Sequence, residues 1–216
     1  MRTYFKKALI LTTLLLLPVL LAACAEKKAD NSPKPGPQST AEKPIGAYLP
    51  LQTGNRWEYA GSGNEYASYT QSVTFQKDSK YQVMVDNGGT VTASRLEVHS
   101  DSIVRTYREG EVYDNRNILD APSNTEVIIL KLPIKAGTSW VSEGDTYKIV
   151  QTDALVNVPA GSFSGCTVVE ITYKDGNSRS LNYYKEGVGL VKTEFILESG
   201  EKIVSDLEKY TVGGTK

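Results

Sequence analysis

Most of this chain consists of short runs of alternating apolar and polar residues separated by turn signals, and this pattern constrains the fold more than any other feature. In YTQSVTFQ, Tyr69, Val73 and Phe75 fall on one face and polar residues fall on the other, which is the period of a half-buried strand. LVKTEFIL repeats the pattern. We therefore expect a mainly β fold with little helix, an antiparallel meander of about 11–12 strands. These strands are expected to form a curved sheet, a half-barrel or two packed similar halves.

Turn signals locate the ends of these strands. DNGG (86–89) and KDGN (174–177) contain Asn-Gly and Asp-Gly steps and are expected to form two-residue hairpins. REGE, SEGD and ESGE mark three further turns. EKIVSDLEKY (201–210) is interpreted as a last strand, although its apolar spacing also fits a short helix. DNRNILDAPSN (114–124) has no clear period and is expected to be a long connection.

A nine-residue phrase occurs twice. LPLQTGNRW (49–57) and LPIKAGTSW (132–140) share Leu, Pro, Gly and Trp in register, and they contain both tryptophans, Trp57 and Trp140. In each copy the glycine is expected to allow a tight turn that leads into a strand with an inward-facing tryptophan. The repeat predicts two similar halves, and chance similarity is the alternative.

Basic residues followed by an apolar run predict a secretory signal peptide at the N-terminus. Arg2, Lys6 and Lys7 precede the apolar run of residues 8–21, which is short for a membrane span. The signal peptide is assigned to residues 1–23.

The tetrapeptide LAAC, which ends at Cys24, resembles the lipobox of bacterial lipoproteins, in which the cysteine is diacylated and becomes the first mature residue. The resemblance implies a lipid anchor at Cys24, because two acyl chains hold a protein stably at a membrane. An ordinary signal peptide is the alternative. Residues 24–47 are rich in proline and charge and are predicted to be a disordered tether that begins with the lipidated cysteine. The expected location is extracytoplasmic, at a bacterial membrane surface.

The remaining chain is long enough for one β domain, residues 48–212, with possible halves 48–131 and 132–212, followed by a flexible tail of residues 213–216. Three of the 24 basic residues leave with the signal peptide, so 21 face 25 acidic residues and the net charge is about −4. This balance argues against nucleic acid as a partner. Cys166 is the only thiol of the folded part, so no intramolecular disulfide is expected.

Four phrases together resemble a broad group of mostly uncharacterised bacterial lipoproteins and secreted proteins: YLPLQTGNRWEY, LKLPIKAGTSW, VPAGSFSGCTVVEI and YYKEGVGLVK. The last two phrases, in that order, are the most specific. The resemblance implies a β-dominated domain on the outer face of a membrane. It is similar in broad shape to the half-barrels of lipoprotein carriers and related lipid-binding proteins, and it implies no catalytic residue.

Aromatic residues are the candidate ligand contacts. Tyrosine combines a flat apolar ring with a polar tip, and a groove lined by such rings suits a lipid, a glycan or a peptide. The alternative is that tyrosine is simply favoured in strands. The candidate ligand-binding residues are Trp57, Tyr59, Tyr69, Tyr107, Trp140 and Tyr183.

Catalytic chemistry is not expected. His99 is the only histidine, and no motif of a known cysteine enzyme surrounds it or Cys166. A hydrolase that uses Cys166 or a carboxylate pair is the weaker alternative. The sequence has no zinc or EF-hand pattern, and we expect neither a metal nor another cofactor.

Two functions from different classes follow. The first is a membrane-anchored binding module for an apolar ligand or a cell-envelope component such as a lipid, a glycan or an envelope protein. The second is a structural or interaction protein of the cell envelope with a closed core. They differ in whether the two halves leave room for a ligand between them.

Overall fold

The computed structural model describes residues 42–213, in which twelve antiparallel strands form one nearly closed, barrel-like sheet. The predicted mainly β fold, with its meander of 11–12 strands, is confirmed. Within these residues, no helix is long and apolar enough to cross a membrane. Two 3₁₀ turns, Ile45–Tyr48 and Glu65–Ala67, are present. The strands are β1 Arg56–Ser62, β2 Tyr69–Lys77, β3 Lys80–Asp86, β4 Val91–Val98, β5 Ser102–Glu109, β6 Val127–Lys131, β7 Ser139–Ser142, β8 Asp145–Val158, β9 Gly161–Thr172, β10 Arg179–Lys185, β11 Gly189–Ile196 and β12 Lys202–Thr211.

The strand order shows how the two halves of the chain share the sheet. It runs β6-β5-β4-β3-β2-β1-β12-β11-β10-β9-β8-β7, so each half is a six-strand meander. The first and last strands pair in the middle, where Arg56 lies opposite Thr211 and Ser62 opposite Val204. The two edge strands, β6 and β7, are consecutive in the chain. The halves therefore continue one another as a single sheet.

The repeated phrases adopt the same turn before β1 and before β7. Gly54 and Gly137 both have positive φ, 95° and 98°, a conformation that glycine adopts without steric cost. The Gly54 amide donates to the Val73 carbonyl at 2.9 Å, and the Gly137 amide donates to the Ile149 carbonyl at 2.8 Å. Each turn therefore ties the start of its half to the second strand of that half.

Side chains join the edge strands, which have no backbone ladder between them. The Trp140 indole donates to the Ile128 carbonyl at 2.9 Å. The Ser142 hydroxyl donates to the Glu126 carbonyl at 3.0 Å and accepts from the Ile128 amide at 2.9 Å. A Glu143 carboxylate oxygen accepts from the Glu126 amide at 3.1 Å. We term this β6–β7 junction the seam.

The segment before β1 packs into the core. Ile45, Leu49 and Leu51 are all buried in the main hydrophobic cluster, and the Ala47 carbonyl accepts from the Gly187 amide at 2.8 Å. The packed chain therefore includes residues on the N-terminal side of residue 48. Cys24 and the rest of the predicted signal peptide and tether up to residue 41 lie outside the described residues.

The long connection between β5 and β6 covers the outer face of β3 and β4, and it includes the stretch in which the sequence shows no periodicity. Gln82, fully buried, donates to the Arg116 carbonyl at 2.9 Å and accepts from the Ile118 amide at 2.8 Å. A small second core of Ala93, Val112 and Ile118 lies beneath it. Two buried polar contacts thus fix a segment that has no strand of its own.

Two hairpin predictions are wrong in length. DNGG lies in a four-residue connection, because the Asn87 side chain accepts from the amides of Gly89 at 3.0 Å and Thr90 at 2.8 Å. KDGN lies in a six-residue connection. Two-residue connections occur instead at 78–79, 143–144 and 159–160. Of these, Glu143–Gly144 belongs to SEGD and has φ of 50° and 92°. Positive φ at both central residues suits the twist of a hairpin.

Candidate functional site

The sheet has an inner face, which carries the main core, and an outer face. Side chains directly opposite each other on adjacent antiparallel strands lie on the same face, so the register assigns each residue to a face. Buried members of the inner face include Val73, Val83, Leu96, Ile103, Val191 and Leu207.

At one end of the sheet the inner face becomes polar. This end, which we term the upper end, carries the connections 63–68, 87–90, 110–126, 143–144, 173–178 and 197–201. Ser94 lies opposite Val83 and Arg108, Arg105 lies opposite Leu96 and Val127, and Asn182 lies opposite Val169 and Thr193. We term these inner-face residues the polar inner patch: Tyr69, Ser94, Arg105, Arg108, Asn182 and Thr193.

Within the polar inner patch, Arg105 is the residue whose positive charge is least balanced by hydrogen-bond acceptors or acidic groups. It is half-buried, and its Nε is buried without a hydrogen-bond partner among the described residues. Burial lowers the pKa of the Arg105 guanidinium, and the nearby charge of Arg108 lowers it further. A buried donor without a partner destabilises the fold, and a cation does so more strongly. The position therefore favours an acceptor that the described chain does not supply.

Neutral tyrosine hydroxyls lie on the same face. Tyr147 stacks on Trp140 with ring centroids 5.4 Å apart, and burial, followed by the charge of Asp145, raises the pKa of Tyr147 to about 12. Burial also raises the pKa values of Tyr69 and Tyr184. These hydroxyls stay protonated at physiological pH and can donate hydrogen bonds.

Asn182 supplies a second uncompensated polar atom. Its side-chain oxygen is buried and has no hydrogen-bond partner within residues 42–213. Because an unpaired buried acceptor costs free energy, this atom favours a donor from a ligand or from water.

The structure does not bring the six predicted ligand contacts into one groove. Trp57 and Tyr59 are buried in the core, where the Trp57 indole donates to the Val188 carbonyl at 2.7 Å and the Tyr59 hydroxyl donates to the Leu190 carbonyl at 2.8 Å. Tyr69 stacks on Tyr59 with centroids 4.4 Å apart and belongs to the polar inner patch. The polar atoms of Trp57, Tyr59 and Trp140 are thus occupied by backbone carbonyls.

Tyr107 and Tyr183 lie away from the inner face. Tyr107 donates to Glu109 at 2.7 Å and lies beside an open depression of about 640 Å³ that also includes Arg116. Tyr183 lies opposite Lys192 on β11, in a row that belongs to the outer face. Of the six predicted residues, only Tyr69 lies in the polar inner patch.

The sequence pattern also indicated Arg105, although the predicted ligand contacts were all chosen from the aromatic residues. In SIVRTYRE, Arg105 follows Ile103 at the strand period, so a cation occupies an inward position of an apolar face. Thr193 gave a similar signal, since it lies between Val191 and Phe195 at the strand period. Asn182 gave none, because the apolar neighbours Leu181 and Tyr183 lie on the opposite face of its strand.

The Cys166 thiol is buried in the core, 3.4 Å from the Phe163 carbonyl. Burial raises the pKa of this thiol, although Lys185 opposes the shift. His99 is exposed in the connection between β4 and β5. A thiol with a raised pKa is a poor nucleophile, because the thiolate is the reactive form.

No protein-family model and no curated protein matches the chain. Among solved structures, it is similar to a Bacteroides fragilis protein with a YmcC-like fold that is inferred to be exported. The TM-score is 0.43 and the sequence identity is 13%, and the match covers 76% of this chain and 98% of that chain. It is also similar to a Parabacteroides distasonis protein inferred to be a lipoprotein, with a TM-score of 0.44 and 14% identity over 76% of this chain and 98% of that chain. Likeness at this level concerns the fold alone and assigns no activity.

Proposed function

We propose that the protein is a membrane-anchored extracytoplasmic lipoprotein that binds a ligand or a cell-envelope component at the polar inner patch, and that it is not an enzyme. The observation that carries the binding proposal is the pair of buried, unpartnered polar atoms, Arg105 Nε and Asn182 Oδ1, on the inner face. The signal peptide and the lipobox-like LAAC support the location. The buried thiol of Cys166 supports a non-catalytic role.

The binding proposal is tested by native mass spectrometry of the protein purified gently from its own host, before and after denaturing extraction. A released small molecule of defined mass is the expected result. A bare protein mass in every gentle preparation would contradict the proposal.

The anchor is tested by cell fractionation of the Cys24→Ala variant, which is expected to leave the membrane fraction. Cys166→Ser is the matched control, because it removes the other cysteine and is expected to stay with the membrane. Retention of Cys24→Ala in the membrane fraction would show that the lipid anchor is absent.

A second candidate is a structural or interaction protein with a closed core. The observation that favours it is that the polar groups of Trp57, Tyr59 and Trp140 all donate hydrogen bonds to backbone carbonyls of the protein. None of these three donors is therefore left for a ligand. A bare mass in the experiment above would favour this candidate and direct the search toward envelope proteins.

A further inference from the structure

We propose that the ligand is an amphiphile with an anionic head, and that Arg105 binds this head at the upper end of the inner face. The inference rests on the proposed binding function and specifies its ligand class. The head group is a phosphate or a carboxylate, since both match the fork of a guanidinium.

A comparison of two arginines shows that Arg105 lacks what a buried arginine normally has. Arg95, on the outer face, donates to the Thr106 hydroxyl at 2.7 Å and to the Leu119 carbonyl at 3.1 Å, and it pairs with Glu97 at 3.1 Å. Arg105 makes no such bond through its Nε. The fold therefore provides hydrogen-bond acceptors for the guanidinium of Arg95 on the outer face. On the inner face it leaves the Nε of Arg105 without an acceptor.

The charges around Arg105 favour an anion. Arg108 lies on the same face, opposite Ser94, and its charge acts against that of Arg105. Glu143 is the nearby acid, but one of its carboxylate oxygens already accepts from the Thr125 hydroxyl at 2.6 Å and from the Glu126 amide at 3.1 Å. An anionic head between the arginines would relieve their repulsion and fill the empty acceptor position.

Tyr147 supplies a neutral donor close to the same position. It stacks on Trp140, whose indole donates to the Ile128 carbonyl, and the adjacent Val127 lies opposite Arg105. Burial raises the pKa of Tyr147, so its hydroxyl stays protonated. A guanidinium together with a neutral hydroxyl is an arrangement suited to an oxyanion.

An apolar wall on β11 and β12 suits the tail of the amphiphile. Phe195 lies opposite Ser180 and Ile203 at the upper end of the inner face, and both apolar side chains are only half-buried. Tyr173 packs against Phe195 with ring centroids 5.7 Å apart. The upper end thus combines a cationic sector on β5 with an apolar sector on β11 and β12.

The test is isothermal titration calorimetry on the chain from residue 24 with Cys24→Ser, which keeps every described residue. The probes are decyl phosphate, inorganic phosphate and neutral decyl maltoside, each below its micelle concentration. Decyl phosphate is expected to bind most tightly, and Arg105→Gln is expected to weaken its binding at least about tenfold. Arg105→Lys is expected to bind with intermediate affinity, because it keeps the charge and loses the fork.

Arg179→Gln is the matched control, since Arg179 is an exposed arginine that pairs with Glu170. It is expected to bind decyl phosphate as the parent does. Equal affinity of the parent and Arg105→Gln for decyl phosphate would overturn the inference.

The other outcomes separate the inference from the proposed function. Preferred binding of decyl maltoside would overturn the anionic head and leave a binding module. Equal binding of inorganic and decyl phosphate would overturn the amphiphile in favour of a free anion. Failure of all three probes, together with a bare mass from the host, would overturn both proposals.

Discussion

At the scale of single residues, the buried Arg95 and the half-buried Arg105 of the first meander differ in their hydrogen-bond partners. Arg95 fixes the connection between β5 and β6 to the outer face, and its donors are used by that connection. Arg105 points to the inner face, where its Nε has no partner in the described chain. Arg95 therefore stabilises the fold, whereas the unpartnered Nε of Arg105 destabilises it.

Replacing Arg105 with Gln is expected to stabilise the ligand-free protein, because the change removes an uncompensated charge from a half-buried position. The expected gain in unfolding free energy is about 1 kcal/mol, as an order of magnitude. Urea denaturation measures it, with Arg179→Gln as the control that leaves stability unchanged. A clear loss of stability in Arg105→Gln would mean that Arg105 has a structural role.

Tyr147 is expected to make stability fall in alkaline solution. The pKa of Tyr147 is about 12 in the folded protein, whereas an unfolded tyrosine titrates near about 10. Its contribution is fully present below pH of about 10 and is lost as the pH rises toward about 12. Tyr147→Phe should flatten that part of the stability curve, measured by urea denaturation across the range. Tyr113→Phe, at an exposed position, should leave the curve unchanged.

At the scale of elements, the seam is the place where the sheet depends on side chains. The central β1–β12 pair has a backbone ladder along the full length of β1, whereas β6 and β7 meet through Trp140, Ser142 and Glu143. Because so few contacts join β6 to β7, we expect the seam to open more readily than any other strand pair of the sheet.

Replacing Ser142 with Ala is expected to weaken the seam, because the Ser142 hydroxyl binds the Glu126 carbonyl and the Ile128 amide. The expected loss of unfolding free energy is about 1–3 kcal/mol. Hydrogen exchange at the Ile128 amide is expected to accelerate. Ser139→Ala is the matched control, since Ser139 is an exposed serine of the same strand. Unchanged exchange in Ser142→Ala would show that the seam does not rely on this hydroxyl.

The sequence was sufficient for the strands and insufficient for several of their connections. Alternation within YTQSVTFQ and EKIVSDLEKY predicted β2 and β12, because the period depends only on neighbouring residues. The DNGG hairpin was mispredicted because the Asn87 side chain binds two amides and lengthens the turn. The polar inner patch was missed because its members come from five strands, and only the register brings their faces together.

At the scale of the whole molecule, two six-strand meanders form one sheet that neither could complete alone. The prediction of similar halves came from a local phrase, and the turns at Gly54 and Gly137 share their hydrogen bonds to the second strand of each half. The sequence could not show which edges pair, since β1–β12 and β6–β7 are equivalent junctions in the repeat. Only the first has a backbone ladder.

A chain that ends at residue 201 lacks β12 and is expected to remain unfolded. The deletion removes the fully buried Leu207 and leaves the neighbouring edges of β1 and β11 without a partner. Near-ultraviolet circular dichroism measures the loss of packing around the tryptophans. A chain that ends at residue 213 is the control and should give the parent spectrum. A native spectrum from the shorter chain would show that β12 is dispensable.

The pairing of the first strand with the last also affects when the protein can fold. Arg56 and Thr211 are separated by nearly the entire folded chain, and contacts that distant in sequence form slowly, because loop closure must precede them. A ribosome delivers β12 after the other eleven strands of the sheet, so the sheet cannot close until β12 has been made. For a polypeptide that is exported as proposed, the order of the strands therefore postpones the closed sheet to the end of synthesis of this domain.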